Sequence, residues 1–302
     1  MAQARALLGA MQWRALQSAP HHSAKISLLQ SSLPRGNKEV LQQINKICRE
    51  MYQQRFLSAS VKQLGAEKDE DVAFACFTDA AVGNRPDWSS TGGHIVGMVH
   101  RSFLSGKRGF FNPISWRSHK LERVARSSLS AEVQSLAEGE QELMYVRAEW
   151  AELLGYSLDP ACASECTWPV PAALVVDAKS VYDCIQKGSA ASSASSLKDK
   201  YTALELMAVS EHLVRQDTQL LWVSSDVQLA DSLTKASAAD LMVRFLQNDK
   251  IWVIQFDPDF ISAKKKRQIQ VSDPLPVVPE DDTLEDLTWL EWLRRNGPSQ
   301  LL

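Results

Sequence analysis

The sequence predicts an α/β chain: a five-stranded mixed sheet with helices packed on it, preceded by a small helical segment. Three observations lead there. Two runs, 74–79 (Phe-Ala-Cys-Phe-Thr-Asp) and 172–177 (Ala-Ala-Leu-Val-Val-Asp), are almost continuously apolar and each ends on an aspartate. Runs without alternation read as central strands buried on both faces. Two further stretches, 92–99 and 109–116, follow the first run through short turns, which predicts an antiparallel meander. Helical periodicity fills the chain before, between and after these strands.

Taken in order, residues 1–66 read as helical. Residues 6–16 are good helix formers with Leu7, Leu8, Met11 and Leu16 at spaced positions, and Pro20 ends the pattern. A second helix is predicted over 38–56 from Val40, Leu41, Ile44, Ile47, Cys48 and Met51. His21 and His22 have no third ligand at a useful spacing and read as solvated loop histidines. The charged connector 65–70 marks a boundary. After the meander, a helix over 129–154 carries the stripe Leu129, Val133, Leu136, Leu143, Val146, Trp150 and Leu154. The fourth strand, 172–177, leads into a short helix at 179–186, a Ser-rich loop at 188–196 and an amphipathic helix at 198–215. The fifth strand is 220–223, and a helix runs on from about Val227. The predicted domains are 1–66, 71–256 and a basic, then acidic, disordered tail at 257–302.

Composition sets the class. With 302 residues, 45% hydrophobic and 23% charged, the chain reads as an ordinary globular protein. No apolar run approaches the ~18 residues of a membrane span, and the N-terminus lacks a signal-peptide pattern. The five cysteines are scattered; Cys162 and Cys166 lack a second pair for zinc, and the usage suits a reducing compartment. The expected location is intracellular, cytoplasmic or nuclear. Net charge is −3, but residues 1–62 hold nine Lys/Arg against two acids, while seven acids follow Gln268. That segregation keeps nucleic acid open as a partner.

Four acids draw attention. Asp79 and Asp177 end the two buried strands, where open α/β sheets bind ligands. Glu132 lies three residues after Leu129 and four before Leu136, so it points with the apolar stripe. Asp231 sits in 228–235 (Gln-Leu-Ala-Asp-Ser-Leu-Thr-Lys), beside Leu229 and Leu233. Acids that converge repel unless cations lie between them. Mg²⁺ prefers oxygen ligands, and a pair of such ions serves in-line phosphoryl displacement. A basic, aromatic stretch follows the second strand: Arg101, Lys107 and Arg108, then Arg117, Lys120, Arg123 and Arg126, with Ser127, Ser128 and Ser130 opening the long helix. Beside a carboxylate site it reads as a phosphate-tracking strip. The basic run 264–267 reads as a nuclear import signal, a phosphate-binding run or a solvated run opening an unstructured tail.

The motifs 77–81 (Phe-Thr-Asp-Ala-Ala), 115–118 (Ser-Trp-Arg-Ser), 127–133 (Ser-Ser-Leu-Ser-Ala-Glu-Val), 176–180 (Val-Asp-Ala-Lys-Ser) and 228–235 resemble the ribonuclease H domain of copia-type LTR retrotransposon polyproteins. The first 60 residues resemble the segment before it, the thumb or connection end of reverse transcriptase. The resemblance implies a ribonuclease H-like fold and metal-dependent hydrolysis of the RNA strand of RNA–DNA hybrids, with two Mg²⁺ ions (or Mn²⁺) and the remainder of a reverse transcriptase as a candidate partner. By position it implies that Asp79 bridges both metals, that Glu132 and Asp177 hold the one on the leaving-group side, and that Asp231 holds the water-activating one. The sequence departs from the family at Ala81, where an acid is usual, around Glu132, where one glutamate stands alone, and at 204–207. A degenerate remnant that only binds nucleic acid, or a nuclease or integrase of the same fold with another substrate, are the alternatives.

Overall fold

Strand β1 (Val72–Ala81) is buried along its whole length, which is why its residues need no polar face. It pairs antiparallel with β2 (Thr91–His100), which pairs antiparallel with β3 (Gly109–Lys120). On its other side β1 pairs parallel with β4 (Ala172–Val176), and β4 pairs parallel with β5 (Thr218–Trp222). A two-residue β6 (Ile251–Trp252) adds to the edge of β3, so the sheet has six strands in the order β5-β4-β1-β2-β3-β6. This is the expected mixed sheet with helices packed on it, with one more strand than predicted. The extra pair was too short to carry a period of its own.

The computed structural model describes residues 2–157, 170–186 and 197–254. Cys162 and Cys166, the Ser-rich loop, the basic run at 264–267 and the acidic tail lie outside them. Residues Met1–Phe256 form one compact unit. No described helix is long and apolar enough to cross a membrane.

Three helices precede the sheet: α1 (Ala2–Gln17), α2 (Ser23–Ser32) and α3 (Lys38–Gln53). They share an apolar cluster that includes Leu8, Met11, Ile26, Leu29, Ile44 and Met51. Asn37 caps α3 by accepting from Val40 N at 3.0 Å. These helices also grip the sheet. Trp116 Nε1 on β3 donates to Ala15 O at 2.8 Å, and the buried Arg85, in the β1–β2 turn, donates to Ser27 O, Ser27 Oγ and Ser31 Oγ on α2. The His21–His22 pair corrects the loop reading. Both are 1% exposed in a 3₁₀ turn, packed ring to ring at 4.0 Å. Burial, then the neighbouring positive charges, lowers their pKa values to about 3 and about 4, so both rings are neutral.

Helix α4 (Ser128–Leu153) lies on β1 and β2, and α5 (Lys179–Gln186) and α6 (Lys200–Arg215) follow near their predicted bounds. Arg147 on α4 is fully buried and ties the starts of the parallel strands, donating to Val170 O, Gln216 O and Thr218 Oγ1. The helix expected from Val227 is instead broken: a 3₁₀ turn at Ser225–Val227, the single turn α7 (Asp231–Thr234), a second 3₁₀ turn and then α8 (Ala239–Gln247).

Candidate active site

The register of the parallel pair places the two strand-end aspartates together. Phe77 lies opposite Val175, so two residues on, Asp79 faces Asp177 across adjacent strands. Neighbouring strands lie ~4.8 Å apart. Glu132 arrives from above. Gly139 lets α4 settle on the sheet, because a Cβ there would run into Thr78. Ser135, on the same helix face as Glu132, donates to Asp79 O at 2.7 Å. Carboxylate oxygens of Asp79, Glu132 and Asp177 consequently lie within 4.8 Å of one another.

Asp231 reaches the same corner by a different route. Gly93 on β2 has no Cβ to collide with Leu233 and Thr234, so α7 docks directly on the strand. Gln228 Nε2 donates to Thr78 O at 3.0 Å and fixes the approach. Thr234 Oγ1 then donates to Asp79 Oδ2. Asp231 is not one of the three acids grouped above. Its Oδ1 lies 2.6 Å from Lys235 Nζ, and that ammonium lies 3.3 Å from Asp79 Oδ2. Ser225 Oγ donates to Asp177 Oδ2 at 2.7 Å. Lys235, Thr234 and Ser225 were not singled out from sequence. Lys235 stands four residues after Asp231, a legible helical pairing; nothing local marks Ser225.

The acids respond as crowded, buried groups do. Burial, then the charges of Asp79 and Asp177, pushes Glu132 up to about 9. Burial and Asp79 push Asp231 up to about 7 against the pull of Lys235. Burial and Asp79 also raise Asp177. Burial works against the charged amine of Lys235, yet Asp79 and Asp231 hold its pKa above the ordinary lysine value. An all-oxygen donor set that resists ionisation on its own fits a hard divalent cation such as Mg²⁺.

The basic residues divide into two groups. Arg117, Lys120, Arg123, Arg126, Ser127 and Ser128 lie where β3 ends and α4 begins, at the carboxylate end. Two of these cations are engaged: Lys120 Nζ with Asp87 Oδ2 at 2.6 Å, and Arg123 with Glu205. Ser127 caps α4 by accepting from Ser130 N, and Ser130 is buried, accepting from Thr202 Oγ1 at 2.9 Å, so its hydroxyl faces inward. Arg101, Lys107 and Arg108 sit at the opposite end. His100 pairs with Val72 at the start of β1, which puts the hairpin tip roughly 23 Å from Asp79 along the strand. A single strip beside the acids was expected; antiparallel pairing sends its first three cations to the far end.

No protein-family model matches the chain. It is 25% identical over 261 residues to the retrovirus-related Pol polyprotein from transposon RE1 of Arabidopsis thaliana, covering 84% of this chain and 15% of that polyprotein. It is 28% identical over 198 residues to the corresponding polyprotein from transposon RE2 of the same plant, covering 64% of this chain and 11% of the relative. Among solved structures, an N-terminal ribonuclease H domain from Mycobacterium tuberculosis aligns at 16% identity and a TM-score of 0.33, over 57% of this chain and 98% of that one. That score is too low to bear on mechanism. The chain is similar to a short part of retrovirus-related Pol polyproteins of copia-like transposons, as its motifs imply.

Proposed function

We propose that this chain is a metal-dependent endonuclease that hydrolyses the RNA strand of RNA–DNA hybrids, a fragment of a retrotransposon Pol polyprotein. One observation carries the reading: three carboxylates from β1, α4 and the end of β4 share a corner in which they repel one another unless a cation is present. Asp79, Glu132 and Asp177 would hold Mg²⁺, with Asp231 completing the set once Lys235 gives way. Bound there, such ions supply Lewis-acid stabilisation of the phosphoryl oxygens and a water of lowered pKa. The chain's own contribution is positional. Ser135 and Gly139 set the height of Glu132, Thr234 and Ser225 orient Asp79 and Asp177, and Arg117 and Arg126 offer positive charge to the backbone of the hybrid.

A second reading, nucleic-acid binding without cleavage, is favoured by Lys235: its ammonium already neutralises Asp79 and Asp231 where a cation would sit. A labelled RNA–DNA hybrid incubated with the protein and Mg²⁺, beside single-stranded RNA, duplex RNA and duplex DNA, separates the two. The nuclease reading expects cleavage of the hybrid's RNA strand alone, abolished in Asp79→Asn. Intact hybrid that is nonetheless retained by the protein overturns it in favour of the second.

A further inference from the structure

We propose that the cleft between α2, α3 and the β1–β2 turn seats one unpaired nucleotide of the nucleic-acid strand that the carboxylate corner handles; the proposal rests on the reading of that corner as a nuclease site. The cleft has a volume of about 370 Å³, at the scale of a small-ligand pocket. A duplex cannot enter so narrow a space, whereas one displaced nucleotide can.

Its walls suit that occupant. Leu28 and Pro86, half-buried over the core residues Leu29 and Ile47, form the apolar surface against which a flat base can lie. Gln43 and Ser32 offer polar edges at the mouth. Lys46 supplies positive charge for the phosphate, while Lys25 is paired with Glu50, which also lines the cleft, at 2.7 Å. The surrounding segment is itself basic, with nine Lys/Arg against two acids in residues 1–62.

The position links the cleft to the acids. Thr234 donates to Asp79, Lys235 contacts Asp79 and Asp231, and the next residue, Ala236, lines the cleft. Asn84, also in the lining, donates to Thr234 O at 2.9 Å and accepts from Thr91 Oγ1 at 2.7 Å. A nucleotide held here therefore lies next to a phosphodiester on the carboxylates, and it joins the helical segment to the substrate.

The test compares a blunt RNA–DNA hybrid, the same hybrid with a one-nucleotide extension, and the same extension made abasic, by fluorescence anisotropy with Ca²⁺ in place of Mg²⁺. The extension should tighten binding at least about fivefold, the scale of seating one base, and the abasic extension should lose most of that gain. Gln43→Trp, at an exposed helical position, should fill the cleft and bring the ratio of extended to blunt binding to about one. Lys46→Glu should reduce the same ratio by charge alone, and melting temperatures check that both variants fold. No gain from the extension, an equal gain from the abasic form, or a full gain in folded Gln43→Trp each overturns the proposal. A parallel Mg²⁺ cleavage lane keeps the two readings apart. If the blunt hybrid is cleaved but the extension adds nothing, only the cleft assignment falls. If the blunt hybrid is neither bound nor cleaved, both fall.

Discussion

Replacing Glu132 by Gln should make the metal-free protein more stable at neutral pH and flatten its dependence on pH. The side chain is mostly buried against Asp79 and Asp177, and its pKa rises from 4.5 to about 9 on folding. An acid whose folded pKa is raised binds its proton more tightly in the folded state. Its effect is therefore least harmful below the unfolded pKa, and stability is lost as pH rises from about 4.5 towards about 9. One proton of difference corresponds to at most ~1.4 kcal/mol per pH unit, so between pH 6 and pH 8 the wild type should lose about 2–3 kcal/mol through this group. For a folded unit of this size that is a fall in melting temperature of roughly 5–10 °C. Thermal melts in chelator at pH 6, 7 and 8 measure it. Asp231, pushed up to about 7, adds its own slope below that pH, and the difference between wild type and Glu132→Gln isolates Glu132. Adding Mg²⁺ at about 100 times its Kd should restore roughly 2.7 kcal/mol to the wild type and little to the variant. A wild type whose stability is flat from pH 6 to 8 in chelator, or a variant as steep as the wild type, would refute the reasoning.

Other outcomes follow from the same geometry. Asp79→Asn should abolish cleavage while changing hybrid affinity less than about threefold, because phosphate contacts dominate binding; native gels beside the cleavage assay test this, and full cleavage would remove Asp79 from the mechanism. Arg117→Ala with Arg126→Ala should weaken hybrid binding more, and lower its salt slope by about two, whereas Arg101→Ala with Lys107→Ala at the far end should act less; salt titrations compare the pairs. Arg85→Met should cost about 3 kcal/mol, since it strips hydrogen bonds from Ser27 and Ser31 on α2, and deleting residues 1–66 should collapse the melting transition; a truncated protein that melts like the full chain would make the helical segment a true appendage. Gly139→Val should lift α4 off Thr78 at a cost of about 1–3 kcal/mol and weaken the Mg²⁺-induced shift in melting temperature; an unchanged shift would separate the height of α4 from the carboxylate corner.

The continuous apolar runs of β1 and β4 were enough to identify two central strands, because burial on both faces leaves no room for alternation. The stripe of α4 was enough to turn Glu132 inward, since residues three and four apart share a helix face. Both are local patterns, and the sequence carries them whole. Partnerships between distant residues are another matter. Lys235 bridges Asp79 and Asp231 only because Gly93 admits α7 against β2, a contact between residues more than a hundred positions apart. His21 and His22 look solvated beside a proline and are buried because α8, more than two hundred residues on, packs against that turn together with α1 and α2. The basic stretch reads as one strip along the chain, but strand reversal divides it, leaving Arg101, Lys107 and Arg108 at the far end of the sheet from Arg117 and Arg126. Periodicity reports which way a side chain points within its own element; which end of the molecule it reaches, and which charge it meets there, is decided by how the elements pair and pack.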